Sequence, residues 1–181
     1  MAIGSLKLVS WAALLLLAAG VAASAATDAA PRKYEFVTSD TKVEDGHKLT
    51  RVRLISSGVL GGYIESESNL SQAGACFLDD QSRAYGNARI TDDAQLHGLA
   101  RDSARLSDRA KVYGAIYGNA QVKDDAVVYG QVYDDAVVDG FAAVHGQVFG
   151  AAKVGGHARV YGRIYGAAEV RGDETVYGER H

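Results

Sequence analysis

The fold this sequence predicts is an all-β, three-sided parallel β-solenoid with sixteen-residue turns and an N-terminal β-hairpin cap. Three observations predict it. From Gln81 onward, glycine recurs every sixteen residues at Gly98, Gly114, Gly130, Gly146, Gly162 and Gly178, each preceded by His97, Tyr113, Tyr129, His145, Tyr161 or Tyr177. Aliphatic residues such as Ile90, Leu96, Ala100, Leu106, Val112 and Ile116 follow one another at intervals of six, four and six, and a small residue stands two positions before most of them. Spacing by two places both side chains on one face of a strand. The remaining gaps are two-residue pairs such as Gly86-Asn87, Asp92-Asp93 and Asp124-Asp125, which tolerate the positive φ of a corner.

One turn is therefore six, six and four residues long. The four-residue side has no two-residue corner, so the recurrent glycine is expected to bend the strand there. Strands of about four residues and an axial repeat of about 4.8 Å make six full turns a rod of roughly 30 Å. No single turn can bury its own apolar face; stacking does so continuously. Glu174 takes the slot that Ala94 to Ala158 fill in earlier turns, which marks it as the place where the interior meets solvent.

Composition removes several classes. The 181 residues carry a net charge of −3, with 48% apolar and 23% charged residues, 21 glycines and one proline. Collagen-like and polyproline chains need proline, and disordered chains lack this much apolar content. A single cysteine excludes a disulfide framework and a cysteine-based zinc site, and the charge balance leaves no footprint for nucleic acid. Cys76 is read as a small buried hydrophobe.

The segments follow in order. Lys7, a short apolar run and Ala23-Ser24-Ala25 mark residues 1–25 as a secretory signal peptide, so the mature chain is expected in the periplasm or secreted, with no membrane span after cleavage. Residues 26–32 read as a linker. Residues 33–73 form the N-terminal β cap: Lys33 to Thr38 and Lys48 to Ile55 alternate as strands around a polar loop with Asp45-Gly46, and Leu60 to Ile64 leads toward the coil. Residues 74–181 are the solenoid.

The alternation of aliphatic and small residues four apart resembles the hexapeptide-repeat proteins, which form left-handed β-helices and include many acyltransferases. The leader, with GVLGGYIESESNLS at 58–71, followed by Tyr85-Gly86-Asn87-Ala88-Arg89-Ile90, resembles bacterial and phage hexapeptide-repeat proteins with a GGxIExExNLS segment, often labelled as acyltransferases. The resemblance spans about residues 33–181. It implies a left-handed coil and, as one reading of activity, acyl transfer from acyl-CoA with a His base at a subunit interface. This chain departs from the pattern in its shortened third side and its signal peptide.

The candidate bases for that chemistry are His157 and His145. His97 and His145 share a repeat slot with tyrosines, which makes them members of a stacking column. No partner that would orient a base is recognisable in the sequence. The corner aspartates would stack at strand spacing and are read as corner formers, with no metal assigned. The strongest functional signal is a face with two aromatic columns, carrying Tyr113, Tyr129, His145 and Tyr161 in one and Tyr117, Tyr133, Phe149 and Tyr165 in the other. The expected function is thus a non-catalytic, exported structural or interaction module without a cofactor. Its face would serve self-association, protein binding or envelope-glycan binding. Flat-sided coils packing side by side make a homo-oligomer, a trimer in particular, the expected assembly, with head-to-tail stacking as the rival geometry.

Overall fold

A computed structural model describes residues 31–181; the segment read as a signal peptide, and most of the linker after it, lie outside the described residues. The described chain is all-β, with one short 3-10 turn at Glu67–Asn69 and no α-helix. Three parallel sheets stack into a solenoid.

Face one carries Arg83–Ala84, Leu99–Ala100, Ala115–Ile116, Gln131–Val132, Gln147–Val148, Arg163–Ile164 and Glu179–Arg180. Face two runs from Arg89–Ile90 to Glu169–Val170 in six rungs, and face three from Phe77–Leu78 to Thr175–Val176 in seven. Pairing is by sixteen: Val112 lies beside Val128, Ile116 beside Val132 and Val122 beside Val138. Each rung pairs only two residues. The four-residue strands expected from the spacing are shortened because the corner backbone leaves the ladder sooner.

The axial hydrogen bonds explain the register. Alternate N–H groups donate to a carbonyl fifteen residues on, as in Tyr113 N to Val128 O (2.7 Å) and Gln121 N to Ala136 O (2.9 Å). Two of the three corners turn through one residue with positive φ. At one the residue is Gly86, Asp102, Gly118, Asp134, Gly150 or Gly166, and at the other Asp92, Asp108, Asp124, Gly140, Gly156 or Gly172. In the left-handed region L side chains lose roughly 1–2 kcal/mol. The aspartates offset this with a hydrogen bond to the left-handed residue one turn on: Asp102 accepts from Gly118 N (3.0 Å), and Asp124 from Gly140 N (2.9 Å).

The third corner is the glycine bend, and its requirement is different. These glycines do not have positive φ. A Cβ on Gly130 would lie 1.8 Å from Gly146 O, and one on Gly114 would lie 1.8 Å from Gly130 O. The column is glycine because successive bends lie backbone on backbone.

Inside, each side holds one small and one aliphatic column. Ala104, Leu106, Ala110, Val112 and Ile116 are all fully buried, and each large aliphatic contributes about 1.5–3 kcal/mol by leaving water. At the last turn two interior slots become charged. Glu174 follows the alanine column and Arg180 follows Ile164, and they pair with each other across the end of the core.

At the other end a β-hairpin joins the solenoid. β1 (Tyr34–Glu44) and β2 (His47–Leu54) turn through Asp45-Gly46, both at positive φ, the geometry that two-residue hairpins prefer. β1 extends past the expected Thr38, with the register shifting between Val37 and Thr41. β3 (Leu60–Ile64) pairs antiparallel with β2 and parallel with Arg83–Ala84, so the hairpin continues face one. Tyr34, Val52, Ile64, Leu70 and Cys76 are fully buried over the first turn.

The glycine bend gives a direct test. Gly130→Ala should destabilise the fold by about 3 kcal/mol or prevent it, because overpacked backbone cannot give way like a side chain. Gly178→Ala, with nothing within 4 Å of its added methyl, should leave the urea midpoint nearly unchanged.

Candidate functional site

Register places the two aromatic columns along the margins of face one. The first stacks His97 on Tyr113 at 4.5 Å between ring centres, then Tyr129, His145, Tyr161 and Tyr177 at 4.7–5.2 Å, with ring planes within 9° of parallel. The second stacks Tyr117 on Tyr133 at 4.9 Å, continues through Phe149 and Tyr165, and ends on His181. Arg101 lies over Tyr117 at 4.4 Å and closes the near end of that column.

The columns differ in exposure. Tyr113, Tyr129 and Tyr161 are 42%, 50% and 45% exposed, whereas Tyr117, Tyr133, Phe149 and Tyr165 are half-buried. Burial, followed by the neighbouring Tyr133, pushes the Tyr117 hydroxyl above its ordinary pKa. Inside both ladders ring faces are covered by the rings above and below; Tyr177, 76% exposed, ends the first. Edges and hydroxyl groups are what a partner meets.

Between the columns, the outward residues of the four middle turns are Leu99, Ala115, Gln131 and Gln147, all uncharged. Charge appears only at the ends, with Arg83 paired to Glu44 (3.3 Å) and Arg163 to Glu179 (3.1 Å).

The histidines sit apart. His145 lies between Tyr129 and Tyr161 in the exposed ladder. His157 stacks on Phe141 at the face-two to face-three corner, exposed, with Asp173 at 3.8 Å. His97 has an orienting partner that sequence reasoning missed. Asp79 Oδ2 lies 2.8 Å from its Nδ1, and Ser82 holds the other carboxylate oxygen. Asp79 escaped notice because the first turn is two residues longer, pairing Phe77 with Gln95 and so Asp79 with His97. Burial raises the Asp79 carboxyl, but the hydrogen bonds from Ser82 and His97 outweigh it and hold the group below the usual range. The remaining His97 nitrogen, Nε2, is buried without a partner. An oriented imidazole with a covered nitrogen serves position better than proton transfer to a substrate.

The leader residues build the joint. Glu65 accepts from Gly86 N (2.7 Å), doing for the first corner what Asp102 does for a later one, and contacts His47 Nδ1 at 2.9 Å. Buried Asn69 donates to Gly86 O and Ala88 O and accepts from Ser66 N, so its amide is fully used. Tyr85, 3% exposed, donates to Asp45 (2.8 Å); burial, then that carboxylate, pushes its hydroxyl up to about 12. Tyr34 donates to Leu70 O (2.7 Å), and burial pushes its hydroxyl to about 12 as well.

Among the described residues no three His, Cys, Asp or Glu side chains gather as a metal-holding cluster. The carboxylates of Asp92, Asp102, Asp108, Asp124 and Asp134 turn along the axis toward backbone N–H groups, and those of Asp125 and Asp135 pair with Arg109 and Asn119. Cys76 is a buried thiol beside Lys33 Nζ (3.0 Å), packed as a core residue. No helix among the described residues is long and apolar enough to cross a membrane. Comparison with protein families and with curated proteins finds no match to this chain.

The Glu65 joint carries a pH signature. Hydrogen bonds from His47 and then Gly86 N hold the Glu65 carboxyl below its usual range. A depressed folded pKa contributes stability above the unfolded value, about 4.3, and that contribution is lost as pH falls through the folded value. Glu65→Gln should therefore cost about 1 kcal/mol at pH 7. The gap to the parent chain should close below pH 4, as read by urea melts across pH.

Proposed function

We propose that this protein is an exported, non-catalytic β-solenoid that acts as an interaction module, and that face one between the aromatic ladders is its contact surface. Export rests on the signal-peptide pattern of residues 1–25, and a left-handed coil on the resemblance to hexapeptide-repeat proteins. The observation that carries the reading is the uncharged strip Leu99, Ala115, Gln131 and Gln147 between aromatic margins. Interface cores are depleted of charge and enriched in tyrosine. The other two faces carry Arg105, Lys111, Lys153 or Arg159 at comparable outward positions.

The geometry favours a flat partner. Sugar rings stack on aromatic faces, and those faces are taken within the ladders. A second copy of the chain, lying side by side, meets ring edges, hydroxyls and small side chains with a surface of the same flatness. Face one meeting its own copy closes as a twofold dimer, and face one meeting a neighbouring surface around a threefold axis gives a trimer.

The mature protein should sediment as an oligomer at ~50 µM, within the range of modest interfaces. Gln131→Arg, which places a charge in the centre of the strip, should convert it to monomer with an unchanged melting curve. A monomeric parent protein, or an oligomer indifferent to Gln131→Arg, would remove self-association from this face.

A further inference from the structure

Face two holds a feature that the contact surface does not use. A groove of about 350 Å³ crosses three consecutive turns, lined by Arg89, Arg105 and Lys123 with Thr91, Ser107 and Gln121, over Leu106 and Val122. Its volume lies within the range of small-ligand sites. Arg89 and Arg105 are direct register partners, and like charges placed opposite each other on neighbouring strands repel.

Farther along the same face, cations have their own counter-ions. Lys153 pairs with Glu169 (3.7 Å), and Arg171 with Asp139 (3.8 Å) and Glu169 (3.6 Å). Among the described residues, Arg89, Arg105 and Lys123 form no ion pair with any carboxylate. The corner acids beside them, Asp92 and Asp108, turn one carboxylate oxygen to hydroxyl and backbone donors and make no ion pair with these cations. Asp92 accepts from Thr91 Oγ1 (2.7 Å) and Asp108 N, and Asp108 from Ser107 Oγ (3.0 Å) and Asp124 N. Asp124 accepts from Gly140 N.

We infer that this groove is an oxyanion site for a phosphate- or sulfate-type group, held by Arg89 and Arg105 of neighbouring turns with Lys123 as the third cation. Two arginines on backbone positions paired in register suit a tetrahedral oxyanion, which each planar guanidinium can contact bidentately. The bound anion replaces their mutual repulsion with two attractions. Gln121, the register partner of Arg105 on the next turn, adds a neutral donor without adding charge. The site lies on a different face from the proposed contact surface, so neither reading depends on the other.

Inorganic pyrophosphate is the probe, titrated calorimetrically into the mature protein at low ionic strength. One equivalent should bind, more weakly as sodium chloride is added. Arg89→Gln with Arg105→Gln should weaken binding by at least about tenfold, and Lys153→Gln should leave it unchanged. Both arginines point outward from a complete core, so the double variant should melt no earlier than the parent. If it fails to fold, Lys123→Gln replaces it with the same expectation of weaker binding. Absence of binding to the parent protein, or equal affinity in the charge-neutral variants, would overturn the assignment. Long-chain polyphosphate then separates sources. Binding weakened by the same substitutions supports the site on a polymer, whereas binding indifferent to them counts against it.

Discussion

The axial hydrogen bond from each turn to the carbonyl fifteen residues on is the constraint from which the remaining structure follows. A ladder of two-residue rungs has no slack: one inserted residue would move every later side chain to the opposite face. Proline cannot donate to such a ladder, and the only one, Pro31, precedes it. The corner N–H of a left-handed residue finds no backbone carbonyl one turn away, and where the preceding turn has an aspartate at that corner its carboxylate supplies the acceptor. A charge-assisted hydrogen bond is worth about 1.5–3 kcal/mol against about 1–2 for the unfavourable φ. Asp is thereby a serviceable corner residue beside glycine. At the bend no such exchange exists, because the obstruction is the next turn's carbonyl itself.

The period, the three sides and the interior columns were legible in the sequence because all depend on strict spacing. Ala104, Leu106, Ala110 and Val112 can be counted into the core without a structure. The physical reason for the glycine column was not legible: a bend and a backbone contact leave the same letter, and only the distance from Gly130 to Gly146 separates them. The Asp79–His97 contact was hidden by the longer first turn, which shifts the slot by two. The leader motif was visible as a pattern but not as a joint. Glu65 reaches a corner twenty-one residues away, and Asn69 bonds to residues that only the coil brings near. In the candidate site the first ladder was legible throughout, and the second from Tyr117 to Tyr165. The repeat slot also pointed to Tyr85, which the hairpin buries against His47 and Asp45, and the closing His181 and the unequal exposure of the ladders were not legible. That inequality comes from their different places, one on the bend and one beside a corner.

Stacking changes what an aromatic column can do. An isolated surface tyrosine offers two faces, an edge and a hydroxyl; a tyrosine within a ladder offers the last two. The energy of ring stacking is already used to hold adjacent turns in register, as cross-strand pairs do in any sheet. What remains outward is a ridge of edges with hydroxyl groups at strand spacing, wet at the tips and apolar between them. Such a ridge matches another flat protein surface better than a sugar ring.

The distribution of charge follows from how few positions the ladder leaves unconstrained. Interior slots require Ala, Val, Ile or Leu, the left-handed residue of each corner requires glycine or aspartate, and the bend requires glycine. The outward positions of each rung and the second residue of each corner can vary without disturbing the register. Along face one they remain uncharged through four turns, whereas along face two they pass from Arg89 and Arg105 through Gln121 and Val137 to Lys153 and Glu169. The two faces are built on the same backbone and share the same core, so neither pattern is needed for folding. Register-paired arginines without counter-ions even oppose it. A difference that the fold does not require, and in one place resists, points to what the surface binds.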